Sequence, residues 1–583
     1  REAAFWKDVS GQGNHWTPIN LDYRDSLPDS PTNNFAVFNA IVTTHNLSEG
    51  NLRVDCDNGT AAIPSTILAA SGKWYSEISI NDLGGGSTYV RIGVVTADGI
   101  GKDLGGVAGT FSFLGDGRTY SEGTATSYGT AVSAGDIFQI ALDNDNGKLW
   151  FGLNGTWMAS GDPAAGNNPS LTFTAGEQMG FAVSSGGGSN SPDFTANFGQ
   201  DSTFAGNRAA GGNTDANGIG DFAYAPPSGY LALCTANLPT PTIIDGSEHF
   251  NTVLYTGDGA TSRTITGVGF DPDFVWHKNR TSAIGHFLID RVRGAGNNLD
   301  TSNTYAEFGG GGNGAMNSVE TDGASILAGS LSATNVNTSG YAYVMWNWKA
   351  GGTAVSNSDG SITSQVSANV DAGFSIVSWT GNTTSGATVG HGLGVAPDVI
   401  IFKRRDGTSD WHTYHSSISN GNTYLAYLNT TAVPASSGSF LNSTYPSSSV
   451  ITLGDSAGTN GSSMIAYCFA NSDTIKAGSY VANQSTDGTF IYLGFRPAFF
   501  LAKNISRVQE WIMMNNKTTD PYNPQDGSIQ PNSSAAEGTG NEVDFLSNGV
   551  KLRNSGGGLN YASGDTFIYL AFAENPFKYA NAR

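Results

Sequence analysis

The hydrophobic and polar positions of the chain alternate in short segments separated by turns. Residues 73–80 alternate apolar with polar side chains, as a strand with one buried face does. Residues 137–143 form a similar segment that leads through an Asn- and Gly-containing turn into residues 148–153. Ala, Glu, Lys, Leu and Arg dominate no long stretch, which disfavours coiled coils and helical bundles. The pattern predicts an all-β protein.

The first third of the chain carries a recognisable combination of motifs. Gly-Lys-Trp-Tyr at 72–75 precedes Ile-Ala-Leu-Asp at 140–143, and Gly-Lys-Leu-Trp-Phe-Gly-Leu-Asn-Gly follows at 147–155. These segments resemble the SPRY domain, a bent antiparallel β-sandwich related to concanavalin-like lectins. The resemblance implies a SPRY-like sandwich over residues 36–200 that binds partners through loops at one end and has no catalytic residues. Residues 201–242, rich in Gly, Asn and Pro, are typical of a linker.

The rest of the chain contains an internal repeat. A Gly-x-x-Pro motif followed by an apolar run and a lysine occurs at 269–278, 394–403 and 494–503, and each copy closes on an aromatic segment. A unit of this length suits a small β-sandwich. We expect three tandem, jelly-roll-like sandwiches at 243–350, 351–475 and 476–583. Their equivalent strands should lie at 270–275, 395–402 and 495–501, and the lysines should extend toward solvent at the strand ends.

Further segments of the chain resemble parts of bacteriophage proteins. Residues 352–362, 389–397 and 494–499 resemble uncharacterised modules repeated in tail-fibre-like virion proteins of environmental bacteriophages. Residues 8–14 and 29–35 resemble a junction in marine bacteriophage structural proteins, so residues 1–35 are interpreted as a junction segment. The resemblance implies a location on the virion. Because the chain opens at Arg1, we expect that upstream sequence is missing or was cleaved.

Charge and cysteine content narrow the possible partners. Asp and Glu number 49 against 28 Lys and Arg, giving a net charge of −21, so binding to nucleic acid through its phosphates is not expected. No run reaches about 18 apolar residues, so we expect no membrane insertion. Cys56, Cys234 and Cys468 are too widely spaced for a disulfide framework or a zinc site and are expected to be buried.

Metal and cofactor signals are weak. Asp143 and Asp145 offer oxygen ligands for calcium, but the turn chemistry of the hairpin explains acidic residues there equally. His412 and His415 are three residues apart, a spacing that puts them on opposite faces of a strand. The other repeats have different residues at the position of His277, so the repeat does not indicate a metal ligand there. We therefore predict no metal site and no cofactor.

Catalytic signals are equally weak. Ser456 lies in Gly-Asp-Ser-Ala-Gly, but the residues that follow are poor helix formers, whereas a hydrolase elbow needs a helix there. Glycoside hydrolysis needs a pair of carboxylic acids, but a pair such as Glu307 and Glu320 can always be chosen from 49 acidic residues and therefore indicates nothing. The sequence predicts that the protein is not an enzyme.

Trp157 is the candidate ligand-binding residue. It follows the Asn154-Gly155 turn, where the SPRY resemblance places a loop near the binding end, and indole faces stack on sugar rings. The alternative is that Trp157 packs beneath the loop.

The most economical interpretation is a bacteriophage virion structural protein, either a tail fibre or appendage or a capsid decoration, that adheres to a host-surface glycan or receptor. Its partners would be other virion proteins and further copies of itself, a trimer by analogy with phage fibres. Two alternatives stay open: a polysaccharide-degrading tailspike and a purely structural filament or sheath subunit.

Overall fold

The computed structural model of the protein describes residues 7–8, 10–17, 19, 27–43, 45–56, 59–187, 191–309, 312, 314–327, 335–518 and 522–579. The start at Arg1 and parts of the predicted junction segment 1–35 lie outside these residues. Strands hold 40% of the residues and helices 3%, which confirms the all-β class. None of the helices in the described ranges is long and apolar enough to span a membrane. The chain divides into two compact units, Arg1–Thr240 and Pro241–Arg583.

The first unit is an antiparallel sandwich of two sheets. Its strands are β1 (Asn46–Ser48), β2 (Arg53–Asp55), β3 (Ile63–Pro64), β4 (Lys73–Asp82), β5 (Val90–Thr96), β6 (Thr110–Leu114), β7 (Arg118–Ser121), β8 (Thr124–Ser127), β9 (Ile137–Asp143), β10 (Lys148–Leu153), β11 (Thr156–Trp157), β12 (Leu171–Thr172), β13 (Met179–Ser185), β14 (Asp193–Asn197) and β15 (Leu231–Ala232). The larger sheet has the order β1-β2-β14-β4-β9-β10-β11, with β12 beside β10 and β15 beside β4. The smaller sheet has the order β3-β13-β5-β6-β7-β8.

Aromatic residues join the two sheets of this sandwich. Phe113 of the smaller sheet lies 4.9 Å from Phe138 and 5.8 Å from Phe151 of the larger sheet, measured between ring centroids. All three side chains are fully buried. The alternation of apolar and polar residues seen in the sequence therefore places one face of each sheet in a common core.

Residues 201–242 differ from the linker expected of them, because several of these residues pack onto the outer face of the larger sheet. Phe222, Tyr230 and Ala232 are fully buried there, and β15 pairs in parallel with β4. Composition misled the prediction: the Gly and Asn residues form turns, while the few aromatic residues between them bury enough apolar surface to hold the segment in place.

A buried carboxylate anchors this segment. Glu77 of β4 accepts hydrogen bonds from the backbone N–H groups of Ala223 (2.9 Å) and Tyr224 (2.7 Å), from Asn197 Nδ2 (3.2 Å) and from the Tyr75 hydroxyl (3.0 Å). Burial raises the pKa of Glu77 above its usual value, and these donors oppose that shift.

The second unit contains three sandwich repeats, each with a larger and a smaller sheet. Repeat 1 (residues 243–350) contains β16 (Phe250–Thr256), β17 (Ser262–Thr266), β18 (Phe274–Asn279), β19 (Phe287–Asp290), β20 (Ala315–Glu320), β21 (Gly323–Leu327) and β22 (Ala342–Trp348). Its sheets have the orders β16-β22-β18-β19 and β17-β21-β20.

Repeat 2 (residues 351–475) contains β23 (Val355–Asn357), β24 (Ser364–Asn369), β25 (Phe374–Trp379), β26 (Thr388–Gly390), β27 (Val399–Arg404), β28 (His412–His415), β29 (Tyr424–Tyr427), β30 (Ala435–Ser436), β31 (Val450–Thr452), the helix α1 (Ala457–Asn460) and β32 (Met464–Phe469). Its larger sheet has the order β23-β24-β25-β32-β27-β28-β29-β30, and β26 pairs with β31.

Repeat 3, predicted at residues 476–583, begins one residue earlier with β33 (Ile475–Val481). It continues with β34 (Phe490–Tyr492), β35 (Phe495–Asn504), β36 (Trp511–Asn515), β37 (Val543–Leu546), β38 (Gly549–Leu552) and β39 (Thr566–Pro576). Its sheets have the orders β33-β39-β35-β36 and β34-β38-β37. Single 3₁₀ turns elsewhere in the protein lie at Ser87–Tyr89, Ala97–Gly99, Met158–Ser160, Gly246–Glu248 and Phe577–Tyr579.

The three repeats are equivalent in register. Strands β18, β27 and β35 each pair with the closing aromatic strand of their own repeat. The repeated lysine lies opposite an aliphatic residue each time: Lys278 opposite Val344, Lys403 opposite Ile465 and Lys503 opposite Ile568. The sequence repeat therefore corresponds to a structural repeat.

Two of these strands begin four residues later than predicted. Strand β18 begins at Phe274 and β27 at Val399. In repeat 1 the residue before the strand is Asp273, whose carboxylate accepts the backbone N–H groups of Ala350 (2.8 Å) and Gly352 (3.1 Å). In repeat 1 the residue that follows the Gly-x-x-Pro motif thus fixes the passage into repeat 2.

The larger sheets of the three repeats share one core. Between repeats, ring centroids lie 4.3 Å apart for Phe274 and Tyr467, 5.5 Å for Phe469 and Phe572, and 5.1 Å for Phe572 and Phe250. Each repeat thus contacts both others, and buried residues from the larger sheets of all three repeats form one cluster. Each repeat also has a core of its own between its two sheets. The repeats are not independent tandem domains: they form a closed ring.

Candidate functional site

Trp157 lies where the sequence predicted it, just after the turn between β10 and β11. Its indole is half-buried and meets the Tyr75 ring edge-on at 6.4 Å between centroids. It packs at the border of a cluster that includes Trp150 and Phe222. The side chain is therefore held in one orientation and partly covered, with part of the indole left at the surface.

Polar groups surround the same turn. Asn154, at a φ of 49°, donates from Nδ2 to Asp136 Oδ1 (2.7 Å), and the backbone N–H of Gly155 donates to Gln139 Oε1 (2.6 Å). Tyr224 covers Gly155 so closely that a Cβ there would lie 2.8 Å from its ring. The site thus combines a fixed indole, a phenol, the exposed amide of Asn154 and the half-buried carboxylate of Asp136. These are groups that bind sugar hydroxyls and sugar faces.

Sequence reasoning missed Tyr224 as a member of this surface. Tyr224 lies in the segment predicted to be a linker, 69 residues beyond the turn it covers. A signal was present in the run from Phe222 to Tyr230, because aromatic residues are unusual in flexible linkers.

The candidate calcium ligands are engaged with protein groups. Asp143 is buried, lies 3.1 Å from Lys73 Nζ and accepts hydrogen bonds from Asn146. Asp145 accepts the backbone N–H of Gly72 (2.8 Å). Throughout the described ranges, no three His, Cys, Asp or Glu residues are grouped closely enough to hold a metal ion.

The histidines and cysteines singled out in the sequence have structural contacts. His412 donates to the backbone carbonyl of Asp410 (3.0 Å), and His415 donates to that of Tyr569 in repeat 3 (3.0 Å). His277 is fully buried against the Tyr255 hydroxyl (2.9 Å). Burial lowers the pKa of His277 to about 3 and that of His415 to about 4. Cys56, Cys234 and Cys468 are buried, and they form no disulfide.

The residues considered for catalysis each make different contacts with the surrounding protein. Ser456 caps the four-residue helix α1 by accepting the backbone N–H of Gly458 (3.2 Å). A strand and a helix do flank it, contrary to the expectation of a bare turn. Glu307 is paired with Arg405 (2.8 Å) and Arg293 (3.2 Å), whereas Glu320 accepts from the Ser318 hydroxyl (2.6 Å).

The repeated lysines differ from the expectation that they reach solvent. Each is completely buried, and its ammonium group donates to a backbone carbonyl in a neighbouring repeat. These bonds run from Lys278 to Ser534 (2.9 Å), from Lys403 to Thr304 (3.2 Å) and from Lys503 to Thr431 (2.8 Å). Repeat 1 thus binds repeat 3, repeat 2 binds repeat 1, and repeat 3 binds repeat 2.

A second side chain, eight residues after each lysine, makes a parallel contact. Its ring N–H donates to the carbonyl four residues before the one that the lysine binds. These bonds run from Trp411 to Asp300 (2.9 Å), from Trp511 to Tyr427 (3.0 Å) and from His286 to Gln530 (3.1 Å). The same pair of bonds therefore closes all three contacts of the ring.

Burial of the lysines predicts that the free energy of unfolding depends on pH. Burial lowers the pKa of Lys403 to about 8, so between this value and the ordinary value of 10.5 the unfolded chain binds the proton more tightly. Raising the pH from 7 to 10 should stabilise the protein, relative to a Lys403→Met variant, by roughly 2 kcal/mol. Urea unfolding of both proteins at the two pH values measures this. An unchanged difference between them would show that burial does not lower the pKa of Lys403.

The extent of the ring coincides with a family match. The model described as "Domain of unknown function (DUF7483)" matches residues 245–576, more than half of the chain. The chain belongs to this family. The DUF7483 region begins at the residue that caps the Gly246–Glu248 turn and ends at the last residue of β39. The family's unit is therefore the whole ring of three repeats.

Solved structures show weaker similarities. The stonustoxin structure matches at 20% identity over 28% of this chain and 27% of that one, with a TM-score of 0.21, so the chain spans about a quarter of it. The SPRY domain of human HERC1 matches at 16% identity over 29% of this chain and 95% of that one, with a TM-score of 0.20. A human SPRY domain matches at 14% identity over 28% of this chain and 95% of that one, also with a TM-score of 0.20. At these scores the similarities carry no argument. Curated proteins gave no match.

Proposed function

We propose that the protein is a non-enzymatic virion structural protein of a bacteriophage, in a tail fibre, appendage or capsid decoration, that adheres to glycan on the host surface. The first unit binds the glycan at the turn that carries Trp157. The virion setting is supported by the sequence resemblance of residues 352–362 and 389–397 to tail-fibre-like modules.

The observation that supports adhesion most is the fixed indole beside polar groups. Trp157 is held by Tyr75, so stacking on a sugar ring would cost little conformational entropy. Asn154 and Asp136 lie at the same turn and would take the hydroxyl groups of a sugar. Such shallow sites bind weakly, and several copies on one particle would raise the overall affinity.

The second unit supports a scaffold role. Its repeats already use their shared faces within one chain, so a homo-oligomer would assemble through other surfaces. Its buried histidines and lysines are engaged in hydrogen bonds to backbone carbonyls and neighbouring rings rather than lining a cleft. This favours a static unit. A homotrimer stays part of the proposal.

Binding to a panel of immobilised bacterial envelope polysaccharides tests the proposal. The full-length protein should bind at least one of them, and Trp157→Ala should weaken that binding about tenfold, the value of one stacked aromatic contact. Trp16→Ala is the matched control, since Trp16 is 79% exposed in the same unit but lies far from this turn in the chain. Its affinity should be unchanged.

The other outcomes each point to a different function. Binding that survives Trp157→Ala would move the site elsewhere on the protein. Shortening of a polysaccharide during incubation would favour the tailspike alternative. Absence of binding to every polysaccharide, together with incorporation of the protein into particles, would favour the purely structural subunit.

A further inference from the structure

The contact between repeat 3 and repeat 1 differs from the other two contacts of the ring. The chain passes directly from repeat 1 into repeat 2 and from repeat 2 into repeat 3, but it does not connect repeat 3 back to repeat 1. Here the Gly246–Glu248 turn packs against β39, and a Cβ on Gly246 would lie 2.6 Å from the carbonyl oxygen of Ala573. We call this contact the closing contact. It is held by non-covalent bonds alone.

The closing contact also contains a histidine where the other contacts have tryptophan. His286 takes the position of Trp411 and Trp511, and its ring is fully buried. Trp276 Nε1 donates to His286 Nδ1 (2.8 Å), while His286 Nε2 faces the carbonyl oxygens of Gln530 (3.1 Å) and Ser533 (3.3 Å). Because Nδ1 accepts and Nε2 donates, these contacts require the neutral imidazole.

The charged groups around His286 do not favour its protonation. Lys278, on the adjacent strand, and His277 both lower its pKa, and burial lowers it most. Asp300 accepts the backbone N–H of His286 (3.0 Å) rather than a ring nitrogen. On the repeat 3 side, Glu537 is paired with Arg280 (2.7 Å). A proton on Nδ1 would therefore face the Trp276 N–H without a compensating carboxylate.

We propose that His286 makes the closing contact acid-sensitive, so that the ring opens between repeat 3 and repeat 1 as the pH falls below the ordinary histidine range. Protonation converts Nδ1 from acceptor to donor and sets it against the indole N–H of Trp276. It also adds a second positive charge near Lys278. The bond to Trp276 is lost and the contact is weakened, whereas Trp411 and Trp511 cannot titrate at the other two contacts.

The sign of the effect follows from the direction of the pKa shift. A histidine whose pKa is lowered in the folded state binds its proton more tightly when the contact is open. The contact keeps its full strength above about pH 6.5. Below that pH, the equilibrium constant for opening rises roughly tenfold per pH unit until the pH reaches the lower pKa of the closed form. Opening uncovers the aromatic core around Phe250 and Phe572.

One backbone bond across each of the three contacts provides an internal reporter. Glu537 N donates to Arg280 O (3.0 Å) across the closing contact, Glu307 N to Arg405 O (2.8 Å) between repeats 1 and 2, and Gln509 N to Thr431 O (3.1 Å) between repeats 2 and 3. Hydrogen exchange of peptides that contain these amides, measured on the full-length protein at pH 7 and pH 4.5, gives a protection factor for each contact. Protection factors correct for the pH dependence of intrinsic exchange.

Acidification should reduce the protection of Glu537 at least tenfold more than that of Glu307 and Gln509. His286→Trp restores the side chain of the other contacts, and His286→Gln keeps a donor and an acceptor that do not titrate. Either variant should abolish the excess loss of protection at Glu537. If one variant does not fold, the other still tests the proposal. His249, which accepts from Asn369 between repeats 1 and 2 (2.9 Å), and His415, between repeats 2 and 3, titrate in the same way in the unmodified protein and in both variants, so the variants isolate the effect of His286. Equal losses at all three amides, or an excess loss that persists in a folded variant, would overturn the proposal.

Discussion

Replacing Phe499 with alanine is expected to lower the free energy of unfolding of the second unit by about 3–5 kcal/mol. Phe499 is 1% exposed and belongs to repeat 3, yet its ring centroid lies 5.6 Å from that of Phe250 and 5.9 Å from that of Trp346, both in repeat 1. Removing the ring leaves a cavity in the core that the repeats share, and neighbouring rings can fill it only in part.

Urea unfolding followed by tryptophan fluorescence measures this effect. Val508→Ala, at a 68% exposed position of the same repeat, is the control and should cost less than about 0.5 kcal/mol. A cost for Phe499→Ala as small as that of the control would mean that the aromatic contacts between repeats do not stabilise the unit.

A second large effect is expected at the contact between repeats 1 and 2. Asp290 and Arg293 form an ion pair of 2.5 Å in which both side chains are completely buried, and the Tyr467 hydroxyl of repeat 2 donates to Asp290 (2.8 Å). Asp290→Ala leaves the Arg293 charge without this partner and the Tyr467 hydroxyl without its acceptor. We expect a loss of about 3–5 kcal/mol.

An exposed ion pair of the same type provides the comparison for Asp290. Asp271, whose side chain is 54% exposed, is paired with Arg291, and Asp271→Ala should cost less than about 1 kcal/mol. The double variant Asp290→Ala with Arg293→Met should regain part of the lost stability, because no buried charge then lacks its partner. Equal costs for Asp290→Ala and Asp271→Ala, measured by urea unfolding, would contradict this description of the contact.

The spacing of the repeat revealed the elements of the second unit but not their assembly. The motif that ends in Lys278, Lys403 and Lys503 was visible in the sequence, and so was the aromatic strand that closes each copy. Each lysine binds one carbonyl six residues away and one in a neighbouring repeat, and the latter lies 72 to 256 residues away along the chain. No local pattern encodes such partners, so burial of the lysines was not predictable from their surroundings.

The side chain eight residues after each lysine was a signal that could have been used. Trp411 and Trp511 occur at matching places, and His286 takes the third. A polar N–H repeated at one position of buried strands indicates a shared acceptor, because buried donors are almost always paired. Comparing the copies with one another, rather than each with general strand patterns, would have suggested a common contact.

The candidate site was predictable only in part. The SPRY-like motifs located the turn at Asn154 and Gly155, and Trp157 lies beside it. Tyr224 reaches this turn because Glu77 holds the segment around it, and the sequence between them gives no sign of that bond. The prediction of a linker failed for the same reason: average composition does not show where a few buried side chains attach a segment.

Native-state hydrogen exchange of the central strands β18, β27 and β35, one from each repeat, tests most directly whether the second unit is a single closed ring. The strands are compared in the full-length protein and in Phe499→Ala over a series of urea concentrations below the unfolding transition. One shared core predicts a common opening free energy for all three strands, lowered by the same amount in each by the variant. A loss of protection confined to β35, with β18 and β27 unchanged, would show that the repeats fold as independent domains and would contradict the ring.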